Sequence, residues 1–265
     1  MSITPGQPVW IDLGTTDLER SKAFYRDLFD WNFSDTGAEF GHYHMVDAGV
    51  PVGGLGPNVD AEGNIDASMP VWWTVYLKVE DVDATLAAVR EHGGHVHVEP
   101  MQIGDMGRMA IVAAPSGAAF GVWEVGSFEG FDTEGRPGTP VWFEALTKDF
   151  DADAAFYAAV LGWKNVPMGE GSSDEGAAEE DGAGMRYVTD AAGDDASAGL
   201  FDAAAFLPAE VPSHWRVYFA VPDTDAAVEK VLALGGAVVE PAQDSPYGRV
   251  AAVADDLGGT FMVIA

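Results

Sequence analysis

The sequence predicts an α+β fold of two tandem domains, each assembled from two βαβββ units. Three observations carry this. The chain repeats itself across its midpoint. Each half runs through one short order of elements twice. Aspartate caps and Gly-Gly stops fall at matching places.

The repeat is direct. Residues 8–31, PVWIDLGTTDLERSKAFYRDLFDW, match residues 140–163, PVWFEALTKDFDADAAFYAAVLGW, at an offset of 132. Residues 73–100, WTVYLKVEDVDATLAAVREHGGHVHVEP, match residues 215–241, WRVYFAVPDTDAAVEKVLALGGAVVEP, at an offset of 142. Gly107-Arg108 then matches Gly248-Arg249, and Gly117-Ala118-Ala119-Phe120 matches Gly258-Gly259-Thr260-Phe261. The domains are therefore 1–126 and 141–265, with the Gly/Pro-rich 127–140 as linker.

Val9–Leu13 alternates as a strand. Thr16 opens a helix, with Glu19 completing a capping box and Leu18, Tyr25, Leu28 and Phe29 forming its apolar stripe. Short strands follow near 40–47 and 50–55. The order then restarts. Trp73–Val79 is a strand, Asp81 caps a helix running through His92, and Gly93-Gly94 ends it. Strands near 95–99, 107–113 and 119–125 complete the domain. The second half repeats this, with Asp223 as cap and Gly235-Gly236 as stop. Met168–Gly184, rich in Gly, Ser, Glu and Asp, reads as a solvated loop. Gly53-Gly54-Leu55-Gly56 reads as a bend between strands.

Thirteen Lys and Arg face 43 Asp and Glu, a net charge of −30. Such a surface repels phosphate backbones, so nucleic acid is excluded as a partner. Its plain consequence is solubility. There are no cysteines, which excludes disulfides, thiolate metal sites and a cysteine nucleophile. No apolar run reaches the ~18–20 residues of a membrane span, so no membrane partner is expected. The first five residues lack the features of a signal peptide, and a cytoplasmic location follows as the expectation. Phosphate-loop, Gly-x-Ser-x-Gly and His-Glu-x-x-His signatures are missing.

The pattern of strand, capped helix bearing Phe-Tyr, three strands and a second Asp-x-Asp-capped copy resembles the vicinal oxygen chelate superfamily. That family includes glyoxalase I, extradiol dioxygenases and the fosfomycin and bleomycin resistance proteins. The resemblance covers nearly the whole chain and is nearest to two-module actinobacterial glyoxalase-like proteins. It implies that paired units curl a mixed sheet into a cup that holds the ligand. Metal-dependent members take ligands from the first strand of each unit and a glutamate from the last strand. Carried onto this sequence, those positions are Trp10, Thr74 and Gly121 in the first half, and Trp142, Arg216 and Met262 in the second. Tryptophan, glycine and arginine offer a divalent ion no donor.

Strand alternation assigns the rest. Val9, Ile11 and Leu13 face the helix, which leaves Trp10 and Asp12 for the cup. In the second half Trp142 and Glu144 take those places. Thr74 with Tyr76, and Arg216 with Tyr218, join them from the restarting strands. Each cup then holds a stacking wall, a carboxylate and a phenol. Alternatively, the tryptophans fill an inter-unit core. Arg108 and Arg249 are either an anion clamp or partners of Asp12 and Glu144. His214 is either a donor at the cup rim or a surface residue. His42 and His44 alternate on one strand and, with Glu124, form an alternative site for one divalent metal ion. His95 and His97 form a second such pair.

Two functions follow. One is a protein that binds a small molecule in the cup without the family's metal triad, with no cofactor. The other is a glyoxalase-like lyase or hydroxylase-type enzyme acting on small carbonyl or polyketide substrates. There, Asp12 or Glu144 is the base, Tyr76 or Tyr218 the donor, and Arg108 or Arg249 the enolate stabiliser. A third reading leaves one half degenerate. The chain is expected to be a monomer or a homodimer.

Overall fold

A computed structural model describes residues 3–59, 64–66, 68–131, 135–168 and 186–265. The first half runs β1 (Pro8–Thr15), α1 (Leu18–Phe29), β2 (Asn32–Asp35), β3 (His44–Asp47), β4 (Pro51–Pro57), β5 (Trp72–Val79), α2 (Val82–Glu91), β6 (His95–Ile103), β7 (Gly107–Ala113) and β8 (Ala119–Val125). The second half runs β9 (Pro140–Thr147), α3 (Phe150–Leu161), β10 (Val166–Pro167), β11 (Tyr187–Thr189), β12 (Ala198–Asp202), β13 (His214–Ala220), α4 (Thr224–Ala233), β14 (Ala237–Ser245), β15 (Gly248–Ala254) and β16 (Thr260–Ile264). Each half contributes one eight-stranded mixed sheet, in the orders β2-β3-β4-β1-β5-β8-β7-β6 and β10-β11-β12-β9-β13-β16-β15-β14. The fold is the expected α+β tandem of βαβββ units.

The four α-helices of the described residues each start at an aspartate. Asp17, Asp81, Asp149 and Asp223 each accept a backbone N–H from three residues on. The first cap is therefore Asp17 rather than Thr16. With Asp17 as cap the third helical residue is Arg20, so Glu19 does not complete a capping box; its carboxylate pairs with Lys22 at 2.9 Å. Gly53-Gly54-Leu55-Gly56 lies within β4 and is not a bend. The strand expected over 40–47 is only His44–Asp47. A 3-10 turn at Ala38–Phe40 precedes it, and His42 has a left-handed φ of 57°. Of the acidic stretch 168–184, residues 169–184 lie outside the described residues.

The chain divides into two compact units that cut across the halves. One comprises Met1–Val9, Val75–Gly130 and Phe143–Trp215; the other comprises Trp10–Thr74, Phe131–Trp142 and Arg216–Ala265. Each unit thus takes one βαβββ element set from each half. Helix α2 packs near α3 in one unit, and α1 near α4 in the other.

Each core is an aromatic cluster on the helix side. In the first unit Tyr157 stacks on Trp163 at 4.8 Å between ring centroids and meets Trp215 edge-on at 5.8 Å. In the second unit Tyr25 stacks on Trp31 at 5.3 Å and meets Trp73 edge-on at 5.5 Å. The repeat explains the likeness, since Tyr25-Trp31 and Tyr157-Trp163 share the offset of 132. Every buried indole N–H has a partner. Trp31 and Trp163 donate to the carbonyls of Gly138 and Gly6, while Trp73 and Trp215 donate to the hydroxyls of Tyr25 and Tyr157. A buried carboxylate sits beside each cluster. Asp255 accepts the Tyr25 hydroxyl at 2.9 Å and the N–H groups of Leu257 and Gly259. Asp153 accepts the Ser116 hydroxyl and N–H. Burial is the main reason both carboxyls titrate above the usual range.

Candidate functional site

The face of each sheet away from its helices carries the candidate residues. In β1, Val9, Ile11 and Leu13 are fully buried at the helix side, as alternation requires. Trp10 and Asp12 take the other face. Trp10 is 7% exposed, and its indole N–H donates to the Tyr43 hydroxyl at 2.9 Å. Phe131, from the linker, stacks on the same indole at 6.3 Å and 30°.

The Tyr43 ring lies flat over β4 because residue 54 is glycine. A Cβ there would stand 1.5 Å from the phenol oxygen. Gly54 is the parallel partner of Asp12, so Trp10, Asp12 and Tyr43 share one face. Burial, with the Asp12 carboxylate second, keeps the Tyr43 phenol protonated well above its ordinary range. The second half repeats the arrangement. Gly199 is the partner of Glu144, and a Cβ on Gly199 would stand 2.0 Å from the Tyr187 oxygen. Glu144 is 4% exposed. Reading the sequence alone misses Tyr43 and Tyr187. The available signal was a Gly-Leu pair in both halves, with a tyrosine eleven or twelve residues before it.

On β5, Val75, Leu77 and Val79 are buried, while Thr74 and Tyr76 take the other face. Tyr76 pairs with Gly121 of β8, and its ring fills the space above that glycine. A Cβ on Gly121 would stand 2.0 Å from the ring. At the matching pair of the second half, Tyr218 stands beside buried Met262. Arg216 is two residues before Tyr218. Its guanidinium donates to the Tyr218 hydroxyl at 3.4 Å and to Glu240 at 3.3 Å. Strands β13 and β14 are three places apart in the sheet, roughly 14 Å if it were flat. The ion pair therefore requires the sheet to curl toward this face. Bulges on either side of Glu240 aim it inward. Trp142 is half-buried on β9.

The remaining candidates are engaged elsewhere. Arg108 pairs with Asp83 at 3.0 Å and Glu124 at 3.4 Å. Arg249 pairs with Asp225 and Asp244, both at 2.9 Å. Both arginines thus tie a sheet to the first turn of α2 or α4, and Asp12 and Glu144 are not the partners found. Glu124 also accepts the Val82 N–H. His214 rests its ring on the Pro212 carbonyl, with 2.8 Å between ring nitrogen and oxygen.

The histidine pairs do not form donor sets. His42 is exposed in its turn and paired with Asp35, so it does not alternate with His44 on a strand. His44 is buried, with Nδ1 on the His42 carbonyl and Nε2 near Lys22. His95 and His97 lie exposed on β6. Among the described residues no three or more His, Asp or Glu side chains are grouped to hold a metal. The six positions that the family resemblance assigns to metal ligands do not fit an ion either. They present two indoles, a guanidinium, a thioether, one hydroxyl and a glycine covered by Tyr76. Among the described residues no helix is long and apolar enough to cross a membrane.

Comparison with known proteins gives two family matches. Residues 7–122 match the glyoxalase/bleomycin resistance protein/dioxygenase superfamily, and residues 141–264 match a glyoxalase-like domain. CFP32 of Mycobacterium bovis, named provisionally as a glyoxylase, is 37% identical over 263 residues, covering 98% of this chain and 94% of that protein. The anthracycline biosynthesis protein DnrV of Streptomyces peucetius is 36% identical over 274 residues, covering 98% and 93%. The Mn(II)-bound glyoxalase from Novosphingobium aromaticivorans superposes with a TM-score of 0.61 over 99% of this chain and 82% of that one. At 16% identity that likeness is one of fold.

Proposed function

Since the chain belongs to the glyoxalase/bleomycin resistance protein/dioxygenase superfamily, we propose that it binds a planar aromatic small molecule on its sheet faces without the metal triad of that family. The observation that carries this reading is the content of the six inherited ligand positions. Trp10, Thr74, Gly121, Trp142, Arg216 and Met262 are the wrong donors for an ion, yet three of them suit a flat or polar organic ligand.

Other features agree. Indole, phenol and phenyl rings gather at Trp10, Tyr43 and Phe131. Arg216 with Tyr218 and Glu240 supplies charged and hydrogen-bonding groups in the second half. One relative is named for anthracycline biosynthesis, and anthracyclines are fused planar rings bearing carbonyls. A net charge of −30 favours the approach of a cationic or neutral compound over an anionic one.

Titration with the anthracycline doxorubicin, followed by tryptophan quenching, tests the proposal. Saturable quenching that Trp10→Ala or Trp142→Ala weakens is the expected result. Unchanged fluorescence across the titration would overturn it.

A further inference from the structure

Tyr43 and Tyr25 each accept an indole N–H, from Trp10 at 2.9 Å and from Trp73 at 3.3 Å. Tyr25 passes its own hydrogen to the Asp255 carboxylate. Among the described residues no acceptor takes the Tyr43 hydrogen. Tyr157 also accepts an indole N–H without a described acceptor, but it lies at 0% exposure inside a core that no ligand reaches. Tyr43 instead is half-buried as a residue, on the face of β4 away from the helices, with its phenol oxygen resting against Gly54.

A phenol held from one side by an indole and from below by Gly54 is a fixed donor. Its neighbours define what it can meet. Trp10 with Phe131 stacked on it offers an aromatic surface. Asp12 shares the face, and its carboxylate, which already discourages ionisation of Tyr43, repels an anionic oxygen placed there.

We propose that Tyr43 is the hydrogen-bond donor of the ligand site on the first sheet, and that it holds the neutral carbonyl oxygen of a planar aromatic compound. This rests on the small-molecule reading above and names the ligand group within it. Trp10 fixes the phenol's rotation, and Gly54 fixes the height of the ring above the sheet.

The test uses the full chain and two planar cationic probes: doxorubicin, which carries carbonyls, and 9-aminoacridine, which carries none. Tyr43→Phe keeps the ring and removes the hydroxyl. It should weaken doxorubicin about 3- to 10-fold, the scale of one lost hydrogen bond, and leave 9-aminoacridine within about twofold. Gly54→Ala is the second variant. Its Cβ displaces the phenol, so it should weaken doxorubicin at least as much as Tyr43→Phe does. Equal affinity of wild type and Tyr43→Phe for doxorubicin would overturn the assignment of Tyr43 alone. Equal losses for both probes would also overturn it, by showing that stacking and not donation was disturbed. Failure of the wild type to bind either probe would overturn the small-molecule reading itself.

Discussion

Gly121 is the position to which the family resemblance assigns a metal-binding glutamate, and the Tyr76 ring lies over it. Gly121→Ala tests that packing. The added Cβ would be 2.0 Å from ring Cδ1, 2.3 Å from Cε1 and 2.6 Å from Cγ. Ordinary carbon contacts are about 3.5–4.0 Å, so the ring must withdraw by roughly 1.5 Å or more. Tyr76 is only 6% exposed and has little free room. Overpacking of this kind costs about 1–3 kcal/mol. Urea unfolding followed by tryptophan fluorescence measures that cost, and the same change in a Tyr76→Ala background isolates its source. The expected cost there is below about 0.5 kcal/mol, giving a coupling of about 0.5–3 kcal/mol. An equal cost in both backgrounds would refute the reasoning, because the ring would then not be what excludes a side chain at position 121.

Further predictions follow from the buried acid and the surface arginines. Asp255 has a folded pKa raised mainly by burial, so its contribution to stability is complete below the ordinary carboxylate range and is lost as pH rises through the elevated value. Asp255→Asn cannot ionise. Its stability should therefore fall less than that of the wild type between pH 4 and pH 7, and parallel urea midpoints across that range would contradict this. Arg249 is held by Asp225 and Asp244 at the start of α4. Arg249→Ala should leave doxorubicin affinity within about twofold, since exposed pairs of this kind contribute little. A loss well beyond that would show that the arginine contacts the bound compound.

Much of the fold was legible because it was written twice. Alternation placed β1 within two residues, and the repeated order of elements placed β5 within one residue and β7 and β8 at their observed limits. The errors have physical reasons. Thr16 and Asp17 both suit a cap, and the choice rested on Glu19 three residues after Thr16, whereas the Asp17 carboxylate takes the Arg20 N–H and starts the helix one residue later. Glycines in β4 looked like a bend because glycine usually breaks strands. Here they admit Ile11 on one face and Tyr43 on the other. That misreading hid Tyr43, which accepts the Trp10 indole N–H on the face that Asp12 shares. Alternation failed at His42 because a left-handed residue interrupts it. The joining of element sets across the halves was not legible, since it depends on contacts between residues far apart in sequence, such as Tyr25 with Phe261. For Arg108 and Arg249, the sequence named the cations but not the nearby helix-start carboxylates that hold them.

The central claim is that ligand binding requires no metal. Calorimetric titration of doxorubicin into protein treated with EDTA, repeated after dialysis against Mn(II) and Zn(II), tests it most directly. The same affinity is expected in all three samples, with no stoichiometric metal by elemental analysis. Binding that vanishes with EDTA and returns with one equivalent of either ion would contradict it.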